Sequence, residues 1–397
     1  MTNKMTKQNL QLYLHIPFCV RKCAYCDFLS GPASSEEIAS YVDAMICEIK
    51  SYRRQFAEYE VSTVFLGGGT PSILTAAQIE GVFSALRETF DISVDAEISI
   101  EMNPGTVTKE KLEMYRKVGI NRLSIGLQSV NDEELKLLGR IHTMQEFLNT
   151  YRMARDCGFE NVNVDLISAI PGQTVESWKR TLQTVAELKP EHISAYSLIV
   201  EEGTPFYEMY GEHTQSGCVS SEKKIPSEED DRRIYKETIK LLKKYNYERY
   251  EISNYAKPGF ACRHNLGYWE RENYLGIGTG ASSLIQNERF HHISNRDDYV
   301  KYVMDGKLQE IVEQSDIERV DQQAQMEEFM FLGLRKMEGV SKEKFYETFG
   351  KELEEVYGTV IDKLMQEKLI EERQTNMLAL TEQGIDISNY VMSEFLL

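Results

Sequence analysis

The chain has 397 residues, 27% of them charged and 42% hydrophobic, with a formal net charge of −18. That length supports two or three domains and a sizeable core, while the acidic balance argues against a nucleic-acid backbone as the main partner, because such binding needs Lys and Arg to displace counterions. There is no run of about 18 apolar residues and no apolar stretch of about 7–15 residues near the start; with seven cysteines, three of them crowded together, the sequence reads as a cytoplasmic protein with neither a transmembrane segment nor a disulfide framework.

The first predicted strand, LYLHI (12–16), runs into HIPFCVRKCAYCDF, which places Cys19, Cys23 and Cys26 at spacings of four and three and reaches Phe28 without a fourth thiol. A helical pattern over Ile38–Phe56 leads to TVFLGG (63–68), a strand that ends in GGGT. Then come a helix over Ala76–Phe90, the strand EISIEM (97–102), a helix over Lys109–Val118, the strands RLSIGL (122–127) and NVNVDLI (161–167), a helix over Val175–Leu188 and the strand HISAYSL (192–198). Alternating strands and helices imply a parallel sheet covered by helices, either doubly wound or an incomplete barrel. In both arrangements the chemistry lies beyond the carboxyl ends of the strands. The cysteines, GGGT, Glu101, Gln128 and Asp165 all fall at that end.

Beyond about residue 203 the pattern changes. Residues 211–230 form a polar excursion, a helix follows to about Tyr245, and 252–269 is irregular and rich in turn-formers. From about Asp316, helices lead to two short extended runs around a turn near 374–376 and then a last helix, which predicts a winged-helix-like module. Residues 313–397 hold nine Lys/Arg against nineteen Asp/Glu, the wrong sign for a DNA phosphate backbone, so the module is read as a packing or partner unit. The expected division is 1–203, 204–312 and 313–397.

Three thiols in a tight loop suit a metal centre. Zinc takes four protein ligands, or three and a water, and no second Cys or His pair lies near this loop. A cubane [4Fe–4S] cluster usually takes four cysteines; with three, one iron keeps a position for a small molecule. Cys19, Cys23 and Cys26, with Tyr25 just before the third and FLGGGTPS (65–72) downstream, resemble the radical S-adenosylmethionine (SAM) superfamily. The resemblance implies an α/β fold, a partial (β/α)6 barrel with a C-terminal helical, winged-helix-like domain. It also implies a [4Fe–4S] cluster whose unique iron binds the amino and carboxylate groups of SAM and whose electron releases a 5′-deoxyadenosyl radical.

LYLHIPFC, ISIEMNPGTVT, RLSIGLQSVNDEELKLLGRIHT, NVDLISAIPGQT and RHNLGYW narrow the likeness to the oxygen-independent coproporphyrinogen III oxidase-like group. It implies that Tyr13, Gly68, Gly69, Thr70, Glu101, Gln128, Arg140 and Asp165 line the SAM pocket, with Tyr25 beside the cluster. Arg140 suits a carboxylate, which it can grip bidentately. Read singly, Glu101 or Asp165 could cap a helix or turn, and Arg140 could be a surface ion pair.

The oxidases in this group carry a fourth cysteine where this chain has Phe28, and a longer amino-terminal extension. Both departures, together with HNLGYW (264–269), resemble the haem-chaperone (HemW) branch and its HNxxYW signature. On that reading His264 is an axial haem ligand, Tyr268 and Trp269 stack on the porphyrin, and Asn265 holds the imidazole or a propionate. Without it, the segment is a packing anchor capped by His264. Cys262 is a lesser candidate haem ligand. Cys47, Cys157 and Cys218 read as structural or incidental, and His142, His291 and His292 as surface residues. The expected function is a haem chaperone that binds a [4Fe–4S] cluster and SAM, used for regulation more than turnover, and delivers haem as cargo to haem-requiring apoproteins. Transient contact with membrane proteins and a homodimer are compatible with it. No catalytic residue is assigned, and the rival is the decarboxylating oxidase itself.

Overall fold

The computed structural model describes residues 7–211, 223–373 and 376–397. Strands β1 (Gln8–Ile16), β2 (Tyr59–Gly68), β3 (Ile92–Met102), β4 (Arg122–Gln128), β5 (Asn161–Ser168) and β6 (His192–Ser197) lie side by side in chain order, each pair parallel. A doubly wound sheet reverses its strand order at a switch point. This run has no reversal, so of the two windings the sequence allowed, the chain takes the incomplete barrel. Short strands β7 (Glu248–Arg249) and β8 (Asn254–Ala256) extend the sheet antiparallel beyond β6. At the other edge β9 (Tyr274–Ile277) pairs parallel with β1, followed by β10 (Ser282–Ile285), β11 (Glu288–His291) and β12 (Glu318–Arg319). The sheet is therefore widened at both edges rather than closed from β6 to β1.

Helices α1 (Ser35–Ser51), α2 (Ala76–Thr89), α3 (Lys109–Lys117), the pair α4 (Asp132–Leu137) and α5 (Met144–Asp156), and α6 (Val175–Glu187) make the crossovers. The first begins three residues before the apolar spacing at Ile38 suggests, because Ser34 and Glu37 form a reciprocal capping box. Along β1, Leu10, Leu12, Leu14 and Ile16 enter the main apolar core, while the alternate residues Gln11, Tyr13 and His15 are directed to the other face. That inner face is polar. Asn163 Nδ2 donates to Ser124 Oγ at 2.8 Å, His192 Nδ1 lies 2.6 Å from Asn163 Oδ1, and His192 Nε2 lies 2.8 Å from the Tyr250 hydroxyl.

After α7 (Pro205–Tyr210) and α8 (Glu228–Lys244), helix α9 (Arg263–Trp269) closes the lower end of the barrel, and α10 (Arg296–Met304) packs beside α1. Much of the 252–269 stretch expected to be irregular is thus ordered as β8 and α9. A second apolar core, from Met326 to Phe395, is built by α11 (Gln322–Gly333), α12 (Lys342–Phe349), α13 (Leu353–Gln366), α14 (Glu382–Asp386) and α15 (Ser388–Ser393) with a small antiparallel sheet. In that sheet β15 (Met377–Leu380) lies between β13 (Val340–Ser341) and β14 (Ile370–Arg373), the helices and hairpin of a winged-helix-like module. Most of the 211–230 excursion, part of the turn near 374–376, and Cys218 lie outside the described residues. Among the described residues no helix is long and apolar enough to cross a membrane.

Candidate cofactor site

The cysteine loop leaves β1 and is stitched back at several points. Cys19 N donates to Gly31 O at 2.9 Å, Gly31 N to Pro17 O at 3.1 Å, and Ala24 N to Leu138 O at 3.0 Å. All three thiols are half-buried. The turn after β2 lies directly on this loop, with Gly69 N donating to Ile16 O and Thr70 N to Phe18 O. A Cβ on Gly69 would stand 2.5 Å from the Phe18 carbonyl oxygen, and Gly68, at φ +107°, would drive one into the His15 ring. Only glycines allow this approach.

Polar groups converge on the thiols. Thr70 Oγ1 donates to Cys19 Sγ at 3.5 Å, and Arg140 Nη1 to Cys23 Sγ at 3.6 Å. Asn103 joins the two donors, its Nδ2 reaching Thr70 Oγ1 at 2.8 Å and its Oδ1 accepting from Arg140 Nη2 at 2.5 Å. Arg140 also donates to Gly126 O at 2.6 Å, so it is an inward-held guanidinium and not a surface ion pair. Glu101 accepts from Gly68 N at 3.1 Å, and burial together with the charge of Asp165 pushes its pKa up to about 8. Asp165 accepts from Ser124 Oγ at 2.9 Å and Asn163 Nδ2 at 2.8 Å. Neither carboxylate caps a helix. Gln128 adopts a left-handed φ of 73° at the end of β4. Tyr13 stacks on Phe65, and its hydroxyl meets His15 Nδ1 at 3.0 Å. Tyr25 packs its ring against a small apolar cluster of Leu138, Ile167, Ile170 and Phe206, and its hydroxyl lies within electrostatic reach of Arg140, Cys23, Cys26 and Asp165.

The donor set fits a cluster with SAM. Among the described residues no three His, Cys, Asp or Glu side chains stand close enough to hold one metal ion. A cubane, with each thiolate on its own iron, needs no such common point. Donors aimed at two of the sulfurs suit thiolates, and a guanidinium, two acids and a glycine turn beside them suit a zwitterion.

The structure does not bring HNLGYW to this site. His264 is 1% exposed at the opposite end of the barrel, with Nδ1 2.6 Å from Thr63 Oγ1, Nε2 3.1 Å from the Tyr268 hydroxyl, and its ring stacked on Phe65. Burial and the Arg122 charge lower its pKa to about 3. Glu97 accepts from the backbone N–H groups of Arg263 and His264 and from the Cys262 thiol. Burial pushes that thiol up to about 12, so it stays protonated. Asn265 is half-buried on α9, and Trp269 lies under the Arg335 guanidinium of α11's C-terminal flank, 4.3 Å from ring centroid to Cζ. The surface reading of the other histidines is corrected in two cases. His142 and His292 are buried, held by the Leu127 carbonyl and by the Gly278 carbonyl with Glu48. Asn103 lay unremarked inside a quoted motif, and His15 stood out only as the one imidazole near the cysteine loop.

A six-stranded parallel barrel with three cysteines after its first strand and a glycine turn after its second defines a radical SAM protein. The Radical SAM superfamily model matches residues 13–185, and the HemN C-terminal domain model residues 320–387. The chain is 36% identical over 386 residues to the heme chaperone HemW of Lactococcus lactis subsp. lactis, covering 97% of each, and 34% identical to that of Bacillus subtilis, covering 97% of this chain and 98% of the relative. It belongs to the HemW family. In fold it is similar to coproporphyrinogen III oxidase (HemN) from Escherichia coli, with a TM-score of 0.82 at 24% identity over 99% of this chain and 91% of that one.

Proposed function

We propose that this protein is a cytoplasmic haem chaperone that carries haem and hands it to haem-requiring apoproteins. The observation that carries the reading is likeness over essentially the whole chain to relatives named heme chaperone HemW. Residues 1–203 form the cluster- and SAM-binding core, 204–312 an extension carrying HNLGYW, and 313–397 the C-terminal module. Cys19, Cys23 and Cys26 hold the [4Fe–4S] cluster, with Tyr25 packed behind their loop. Tyr13, Gly68, Gly69, Thr70, Glu101, Gln128, Arg140 and Asp165 hold SAM. When bound, the pair supplies one-electron reduction of a sulfonium. The chain's own groups do the rest: Arg140 and Thr70 favour the thiolates, Glu101 meets the ammonium, and the glycine turn gives the ligand backbone to rest on.

Haem contact through His264, Asn265, Tyr268 and Trp269 has a structural condition. Both imidazole nitrogens are engaged inside the floor, so α9 would have to leave the barrel before His264 could bind iron. Phe28, 60% exposed on the cysteine loop, stands where the oxidases have their fourth cysteine, which disfavours decarboxylation. The deciding experiment is haem titration of the anaerobically reconstituted protein beside a coproporphyrinogen turnover assay with SAM and a reductant. Stoichiometric haem uptake without turnover supports the chaperone. Brisk decarboxylation supports the oxidase.

A further inference from the structure

Asn103 stands first after β3 and directly before Pro104, which disfavours a helical backbone there. Its main chain is pinned on both sides. Its N–H donates to Ser72 Oγ at 3.3 Å, and its carbonyl accepts from Thr106 Oγ1 at 2.6 Å. The side chain is thus carried on a fixed support and reaches both Thr70, in the turn after β2, and Arg140, in the α4–α5 connection.

Chemistry leaves the amide one orientation. A guanidinium only donates, so the atom that accepts from Arg140 Nη2 at 2.5 Å is the amide oxygen, Oδ1. The other end is then the amino group, and Nδ2 donates to Thr70 Oγ1 at 2.8 Å. A hydroxyl that accepts from Asn103 keeps its own proton for another partner, and that partner is Cys19 Sγ at 3.5 Å. On the other arm, Asn103 Oδ1 and the Gly126 carbonyl both accept from Nη2, which turns Nη1 to Cys23 Sγ at 3.6 Å. One amide therefore aims two donors at two thiols. The third thiol, Cys26, is served by the Phe28 N–H instead.

Hydrogen bonds to the sulfurs of an iron–sulfur cluster favour the form with the larger negative charge. Reduction by one electron adds such charge, so each donor raises the reduction potential. On the reading that Cys19, Cys23 and Cys26 hold a [4Fe–4S] cluster, we infer that Asn103 is a positioning residue that raises the potential of that cluster by holding Thr70 on Cys19 and Arg140 on Cys23. It bonds to no sulfur itself and acts through these two side chains.

The test is a redox titration of the anaerobically reconstituted full chain without SAM. Dithionite supplies one electron per cluster through viologen mediators, and electron paramagnetic resonance reads the reduced form. Asn103→Leu removes both arms at similar volume and should shift the reduction equilibrium about tenfold towards the oxidised form, about 59 mV for a one-electron couple. Asn103→Asp keeps the acceptor for Arg140 but puts a second acceptor in place of the amino group, so the Thr70 hydroxyl turns from Cys19 to the carboxylate. It should lower the potential too, and it serves if the Leu variant takes up no cluster. Thr70→Val separates positioning from a local dipole or charge, because both Asn103 shifts should shrink in that background. A wild-type potential in Asn103→Leu, shifts of equal size with and without the Thr70 hydroxyl, or loss of the cluster from both Asn103 variants overturns the inference. A wild-type chain that assembles no [4Fe–4S] cluster overturns the cofactor reading itself, and the role of Asn103 with it.

Discussion

His15 Nε2 donates to the Leu29 carbonyl oxygen at 2.9 Å, tying the inner face of β1 to the far end of the cysteine loop. Because that bond puts the proton on Nε2, the Tyr13 hydroxyl must donate to Nδ1, and Tyr41 donates to the His15 backbone oxygen at 2.9 Å. One residue therefore joins the strand, the loop and the inner wall of α1. Replacing it by Phe keeps an aromatic ring above Gly68 but removes both side-chain bonds. His15→Phe should fold with an unchanged far-ultraviolet spectrum yet retain much less iron after anaerobic reconstitution and desalting. Full iron retention would show that the loop needs no such clasp.

Glu101 is the acid whose charge state a cofactor should change. With its pKa raised to about 8 by burial and Asp165, it is largely protonated at neutral pH. An ammonium or sulfonium brought beside it favours the carboxylate, so SAM binding should release a proton. Affinity should rise with pH up to about 8 and then level. Calorimetry in two buffers of different ionisation enthalpy measures the proton count directly. Glu101→Gln should abolish both the proton release and the pH dependence.

Phe28→Cys tests how far one position separates this chain from its oxidase-like neighbours. Phe28 is exposed on the cysteine loop, and the contacts that hold that loop use its backbone and not its side chain: its carbonyl accepts from Lys22 Nζ and Ser30 Oγ, and its N–H bonds to the Cys26 thiol. The substitution should leave cluster content unchanged and should not by itself confer coproporphyrinogen decarboxylation. Substantial turnover by the variant would make this one residue the determinant.

Much of the barrel was legible because its strands are buried on both faces and read as near-continuous runs such as LYLHI and RLSIGL. The cysteine loop and glycine turn were legible as local motifs. What sequence could not supply were partners far along the chain. HNLGYW looked irregular because the acceptor for the first N–H groups of α9 is Glu97, 166 residues away from Arg263. Likewise, β9 is too short to announce itself and is ordered by pairing with β1. His292 looked like half of a surface doublet, yet it is sealed against Glu48 from α1. Asn103 was visible in EMNPG, but its role as the link between Thr70 and Arg140 depends on the turns after β2 and β3 meeting the α4–α5 connection.

Glu328 fastens the C-terminal module to the barrel. From α11 it meets Arg271, just past α9, at 2.6 Å and Arg289 of β11 at 2.7 Å, and the side chains of Glu328 and Arg271 are only 9% exposed. Removing one member of a buried ion pair leaves the other charge uncompensated. Glu328→Ala should cost about 3–5 kcal/mol in urea unfolding. Breaking the exposed Lys117–Glu80 pair should cost no more than about 1 kcal/mol. Equal effects would mean that the module is held by its apolar contacts alone.

Histidines buried neutral at the two ends of the barrel should make the fold acid-sensitive. His264, with a folded pKa of about 3, and His142, at about 4, stay neutral in the folded chain, whereas an unfolded imidazole takes up a proton near pH 6.5. The unfolded state thus binds more protons between these limits, so stability is fully present above about pH 6.5 and falls as the pH drops towards the folded values. Each such group adds up to about 1.4 kcal/mol per pH unit to the slope. His264→Phe keeps a ring stacked on Phe65 but cannot be protonated. It should lower stability at neutral pH through the lost Thr63 and Tyr268 bonds, yet flatten the decline between about pH 6 and 4 by one proton's worth. Urea midpoints across that range measure the difference. An unchanged slope would mean that His264 is already accessible to protons in the native protein, and α9 would then be free enough to leave the floor and offer its imidazole to iron.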